Sequence, residues 1–265
     1  MALAGNVAKA RAVEPGSIRP GRQSHAFRLI DELVRCRFEQ LYTVWLENNP
    51  YYKFNHFLAD LCEDGESCSS PPHLSALCSR AETQVFKFTR LRVGSWIERN
   101  PDIAHSVRVA HLVRDPRAIY SSRRGLRWCT DYKPCDSAAT LCDQMRSDLD
   151  AFGELTRRLQ INRTYQICFE DLAADPLNEA MRVFGSLGLN YAPSVSEYIQ
   201  THTAAAAAAE MRNAHSTKRN SKAVAHMWKR KLSRQKIREI ETTCGDVLQR
   251  LGYTSGPTSA KGAKA

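Results

Sequence analysis

The chain has no run approaching the roughly 18 to 20 consecutive apolar residues that a membrane-spanning helix needs. Its opening, MALAGNVAKARAVEPG, holds no continuous apolar stretch of the kind a secretory leader carries. No membrane segment is therefore expected within the sequence as it stands. It also lacks a CxxC pair, an HExxH motif and any Cys/His cluster with zinc spacing, so no metal site is expected. A GxxxxGK[ST] loop is missing too, which argues against a kinase holding ATP. No helix-turn-helix, zinc-finger or RNP-like aromatic pattern accompanies the basic residues, so no nucleic-acid partner is expected.

What is present is a 265-residue chain, 43% hydrophobic, with enough apolar material for one sizeable core or two small ones. Wholesale disorder is excluded. With 38 Lys plus Arg against 28 Asp plus Glu, the formal charge is +10 and the pI is near 9.3, which implies an anionic partner. Nine cysteines without metal-ligand spacing read as disulfides. Cys62, Cys68 and Cys78, then Cys129, Cys135 and Cys142, with Cys244 far downstream, are placed like loop staples in an oxidising compartment. The sequon Asn162-Arg163-Thr164 agrees with a secretory lumen.

Residues 1–24 and 254–265 are small, polar or aperiodic and are expected to be disordered tails around one domain, 25–253. Phe27, Ile30, Leu33, Val34, Phe38 and Leu41 recur at helical spacing. Residues 62–80, rich in Cys, Pro and Ser, read as a bridging loop. QVFKFTR (84–90), SVRVAHLVR (106–114) and TYQICFEDL (164–172) read as strands, with a helix at 93–99 between the first two. Leu141, Met145, Leu149, Phe152, Leu155 and Leu159 mark a long helix, and Trp228, Leu232, Ile240, Cys244 and Leu248 one side of a final helix over 228–251. Strands alternating with helices predict an α/β fold with a largely parallel sheet, whose ligands sit at the carboxyl ends of the strands.

The most specific stretch runs from His111 to Arg123, HLVRDPRAIYSSR, at a strand-to-helix junction. Asp115 is placed to cap the helix and Pro116 to occupy its first position. A helix N-terminus offers free N–H groups and a positive dipole end, so the junction suits a phosphate. Arg114 stands at the mouth of the strand and Ser122 about two turns further on, a guanidinium and a hydroxyl for one phosphate. Arg117 and Arg123 in the same run are further candidates. Between 212 and 238 lie ten Lys or Arg and no acidic residue, which reads either as a solvated basic face or as a segment lying over an anion.

At these residues the sequence resembles the carbohydrate sulfotransferases, in particular the Golgi branch that sulfates the 6-hydroxyl of galactose, N-acetylglucosamine or N-acetylgalactosamine. The resemblance implies a P-loop-NTPase-like sulfotransferase fold, a parallel sheet flanked by helices. It implies the donor 3'-phosphoadenosine 5'-phosphosulfate (PAPS) without metal, a sugar acceptor in a glycan or proteoglycan, and a Golgi location, full-length relatives being membrane-anchored. The family's 3'-phosphate element, LVRDPRA followed by SR, falls on Arg114 and Ser122. KFTRLR (87–92) resembles its Lys-x-x-Arg strand, CFEDLAADP (168–176) its RYEDLxxDP, and STKRNS with MWKRKL its late Arg-Asn-Ser and Trp-Arg-x-x-Leu elements. Arg219 is thereby a secondary 3'-phosphate candidate, and Cys142 with Cys244 an implied disulfide.

Cys168 and Lys229 each stand where the family usually has Arg. The family's Arg-Ser-Gly-Ser loop for the 5'-phosphosulfate has no clear counterpart; Gly16 to Arg22 has suitable residue types, but Pro20 would remove one cradle N–H. The sheet is accordingly expected to lack its first βα unit, and no catalytic base is assigned. The two functional expectations are a sulfotransferase acting on a sugar hydroxyl, or a non-catalytic glycan- or nucleotide-binding remnant of one.

Overall fold

The computed structural model describes residues 20–39, 42–44, 70–88, 93–126, 129, 133–159, 163–203 and 218–253. Asn162, Cys62, Cys68, the alanine run 204–209, the tail from 254 and all of the first nineteen residues lie outside them. The chain divides into two compact units, one up to Trp96 and one from Ile97 onward.

In the first unit, α1 spans Pro20–Val34, so helix begins inside the segment expected as a tail. It buries Phe27, Ile30 and Leu33, three of the six residues that helical spacing singled out; Val34 is half-buried, Phe38 lies beyond the helix and Leu41 lies outside the described residues. The helix stops before Phe38 because Cys36 takes a positive φ of 54° and forms a disulfide with Cys78. Cys78 lies on α2 (Pro71–Ser79), a helix where a loop was expected. Its two leading prolines fit the first helical turn, where no N–H is needed. Phe38 and Tyr42 meet edge to face at 4.8 Å, and burial pushes the Tyr42 hydroxyl up to about 12. The run 84–88 shows only an isolated bridge at Lys87 where a strand was expected, and 89–90 lie outside the described residues.

After α3 (Val93–Glu98) and the single turn α4 (Pro101–Ala104), the second unit opens into β1 (Val109–Val113). Next come α5 (Pro116–Arg124), α6 (Ala138–Arg158) and β2 (Thr164–Cys168). Among the described residues these strands form one two-stranded parallel sheet, paired from Val109↔Thr164 to Val113↔Cys168. Parallel strands need a crossover connection, and α6 provides it. α7 (Phe169–Ala174) and α8 (Pro176–Ser186) follow β2 directly and pack on it, and α9 (Pro193–Thr203) packs on α8.

The expected final helix is three helices after a short α10 (Ser221–Ala225): α11 (Trp228–Lys231), α12 (Arg234–Thr243) and α13 (Gly245–Arg250). Leu232 is extended and Ser233 caps α12 by accepting the Lys236 N–H, which ends α11. Trp228, Leu232, Ile240, Cys244 and Leu248 nevertheless all enter one core with Val113, Tyr120, Leu141 and Leu149. Each fully buried aliphatic side chain there contributes about 1.5–3 kcal/mol. The disulfide Cys142–Cys244 ties α6 to the α12–α13 junction, as the resemblance implied, and Arg146 braces it by bonding Asp246 and the Thr243 carbonyl. Cys129–Cys135 closes a second, short loop.

Candidate functional site

Val113 and Cys168 are the last paired residues of the sheet, and the register continues beyond them as side-chain contacts. Arg114 lays its guanidinium 4.2 Å from the centre of the Phe169 ring, and the Asp115 backbone N–H donates to Glu170 Oε1 at 3.2 Å. The site therefore stands at the carboxyl ends of both strands, where open α/β sheets bind ligands.

Arg114 also donates from Nη2 to the Val224 carbonyl at 3.2 Å, which draws α10 over the strand ends. Its Nε is buried with no hydrogen-bond partner among the described residues. A buried donor left unsatisfied costs about 1–3 kcal/mol, so this group favours an incoming acceptor. Burial pushes the Arg114 pKa below its usual value, while Glu170, Asp115 and Tyr253 pull it back up. The guanidinium keeps its charge, since arginine has several pH units in hand.

A cleft of about 60 Å³ opens beside Arg114 between α5 and the α10–α11 segment. Ser121 and Ser122 line it from α5, and Val224, Met227 and Lys231 from the other side, with Trp228 behind. A water needs about 10–15 Å³, so the space suits a phosphate-sized group and not a whole nucleotide. The cleft thus brings Arg114 and Ser122 together and adds Ser121 and Lys231, which sequence reasoning did not single out. For Lys231 a signal existed, since it belongs to the acid-free basic run.

The cap expected at the tip of α5 is present, and it takes the place where the sequence also put a phosphate. Asp115 Oδ1 accepts the Arg117 backbone N–H at 2.8 Å, so the protein's own carboxylate occupies the helix N-terminus. The cleft lies along the flank of α5 instead. Arg117 is turned into the core, 1% exposed, donating to both Asp115 oxygens and, at 2.6 Å, to Glu241, with its guanidinium 4.3 Å from the Trp228 ring centre. Burial works to lower its pKa, but Asp115 and Glu241 together outweigh that and raise it. Arg123 sits in the last turn of α5 and Arg219 follows α9, its N–H bonding the His202 carbonyl; neither lines the cleft.

Cys168, which stands where the resemblance has arginine, is a buried free thiol. Its sulfur lies 3.0 Å from the Tyr253 hydroxyl and 3.3 Å from Glu170 Oε2. Lys229, the other departure, sits 5.7 Å from the Trp228 ring centre. Among the described residues, no group of three or more His, Cys, Asp or Glu is gathered as for a metal ion. No described helix is long and apolar enough to cross a membrane.

Residues 105–193, which hold β1, α5, α6, β2, α7 and α8 together with Arg114 and Ser122, match the model of the sulfotransferase family. This stretch is a sulfotransferase-family segment. Carbohydrate sulfotransferase 1 of Danio rerio is 31% identical over 163 residues, 56% of this chain and 38% of that protein. Carbohydrate sulfotransferase 5 of Mus musculus is 28% identical over 208 residues, 72% of this chain and 50% of that protein. Carbohydrate sulfotransferase 6 of Homo sapiens is 29% identical, covering 57% of this chain and 43% of that protein. The chain is thus homologous to carbohydrate sulfotransferases and spans half or less of the length of these relatives. No solved structure matches it. Residues 105–193, which hold both strands of the parallel sheet, carry the P-loop-like fold of the sulfotransferase family.

Proposed function

We propose that the protein serves a carbohydrate sulfotransferase reaction, with PAPS as donor and a sugar hydroxyl, the 6-hydroxyl of a hexose or hexosamine in a glycan or proteoglycan, as acceptor. The observation that carries this reading is the convergence of Arg114, Ser122 and Lys231 on one phosphate-sized cleft at the strand ends. In it the donor's 3'-phosphate meets the Arg114 guanidinium and the hydroxyl of Ser122, with the Lys231 ammonium at the rim. The bound donor supplies the sulfuryl group.

What this chain's own residues do is bind and orient, which is most of what transfer of such a group requires. Arg114 supplies charge, its guanidinium set against the Phe169 ring and the Val224 carbonyl, and Ser122 supplies a neutral donor that sets direction. Arg117 supports α5 from below instead of touching the ligand. No residue is assigned as the base that takes the acceptor's proton. A Golgi lumen fits the disulfides Cys36–Cys78, Cys129–Cys135 and Cys142–Cys244.

The test is the thermal shift of the purified chain with adenosine 3',5'-bisphosphate against 5'-AMP, since a ligand that binds only the folded state raises its apparent stability. A shift with the bisphosphate alone is expected. No shift with either nucleotide refutes the donor site. Sulfate incorporation into a sugar acceptor then separates an enzyme from a remnant that binds without transferring.

A further inference from the structure

We propose that Tyr253, acting through Glu170, is a positioning residue for Arg114, latching the β1–α5 junction in the geometry that grips the 3'-phosphate. The proposal rests on the donor-site reading above.

Gly252 makes the latch reachable. It follows the last turn of α13 with φ of 74°, a left-handed conformation that glycine adopts freely. The Gly252 N–H bonds the Gln249 carbonyl and the Tyr253 N–H bonds the Leu248 carbonyl, a glycine-closed helix end that reverses the chain. Tyr253 is thereby folded back into the core beside the end of β2.

There its hydroxyl donates to Glu170 Oε2. The same oxygen receives the Cys168 thiol at 3.3 Å, and Oε1 receives the Asp115 backbone N–H at 3.2 Å. One buried carboxylate therefore joins the end of β1, the end of β2 and the third residue after α13. Its negative charge acts on Arg114, favouring the charged guanidinium against burial. A thiol is a weak donor, so Oε2 depends chiefly on the tyrosine. Burial first, then the Glu170 charge, pushes the Tyr253 pKa upward, so the hydroxyl keeps the proton it donates.

Arg114 needs such support because its own direct anchors among the described residues are light: one carbonyl and one aromatic face. If Glu170 shifts, the Asp115 N–H and the charge facing Arg114 shift with it. Selectivity for a 3'-phosphate should then fall before the fold does.

The experiment measures, on the full chain, the Kd values of adenosine 3',5'-bisphosphate and of 5'-AMP by calorimetry for the wild type and Tyr253→Phe. The expected result is bisphosphate binding about tenfold weaker with 5'-AMP unchanged, the loss of one charged hydrogen bond. Adding Cys168→Ser, which places a stronger donor against Oε2, should restore part of the preference. If Tyr253→Phe does not fold, Glu170→Gln, which keeps the shape and removes the charge, is read in the same way. A folded variant with its bisphosphate preference intact, or one in which both nucleotides weaken equally, overturns this proposal alone. A wild type that does not prefer the bisphosphate overturns the donor-site reading and this proposal with it.

Discussion

The guanidinium of Arg114 lies 4.2 Å over the ring of Phe169, one residue beyond the last paired positions of β1 and β2. Parallel pairing explains the meeting. Once Val113 is registered with Cys168, the residues that follow, Arg114 and Phe169, emerge side by side, and Asp115 and Glu170 after them. Two stretches more than fifty residues apart in sequence thus become one site. A cation held over an aromatic face gains roughly 0.5–2 kcal/mol and, more usefully here, a fixed plane.

That plane makes Arg114 the first residue to change. Arg114→Ala leaves a phosphate without its charged partner, a loss of roughly 2–5 kcal/mol in binding adenosine 3',5'-bisphosphate, or about 30- to several-thousand-fold in Kd. Arg114→Lys keeps the charge but forfeits the planar stack on Phe169, so its affinity should fall between the two. Titration calorimetry on the three proteins checks the order, and wild-type affinity in Arg114→Ala would remove the residue from the site.

Arg117 should behave oppositely. It is 1% exposed and satisfies Asp115 and Glu241 at once. Arg117→Ala leaves two carboxylates facing an empty, buried space, and breaking a buried pair in this way costs about 3–5 kcal/mol of stability. The urea midpoint should drop sharply at constant m-value. A stable variant that has lost only nucleotide affinity would make Arg117 a ligand-binding group instead of a support for α5.

Much of this was legible in sequence because it is local. The valines at 109 and 113, the Asp115-Pro116 cap and the apolar stripe of α6 each state their structure within a few residues, and Arg114 with Ser122 could be picked from that stretch. The failures share a cause. QVFKFTR has the composition of a strand, but strand preference is realised only against a neighbour, and the described part of it has a single bridge. The 228–251 stripe stays in phase across Ser233 and Cys244, so periodicity hides two breaks that capping and a disulfide impose. Arg117 looks like a phosphate ligand until Glu241, 124 residues away, is seen beside it. Glu170 and Tyr253, 83 residues apart, meet only through tertiary structure.

The disulfides should rank by the loops they close. Cys142 and Cys244 are 102 residues apart, for which chain entropy predicts about 4–5 kcal/mol, against about 2 kcal/mol for Cys129–Cys135 with its separation of 6. Cys142→Ala with Cys244→Ala should therefore lower the melting temperature well beyond the pair Cys129→Ala with Cys135→Ala. Equal losses would mean that local packing, and not loop closure, sets the contribution of each bridge.

His111 gives the second unit a pH dependence with a defined sign. Its ring centre lies 4.7 Å from that of Phe152 with the planes tilted by 40°, its Nδ1 is buried without a partner among the described residues, and burial lowers its pKa from the ordinary 6.5. The unfolded chain therefore binds a proton near pH 6.5 that the folded chain refuses. Stability contributed by neutral His111 is complete above pH 6.5, declines as the pH falls through it and levels off below the folded value. His111→Phe removes the titrating group while keeping an aromatic partner for Phe152. Between pH 6.5 and about 5, before most carboxylates titrate, the unfolding free energy of this variant should be flatter against pH than that of the wild type. Parallel curves would show that His111 protonates in the fold as readily as outside it.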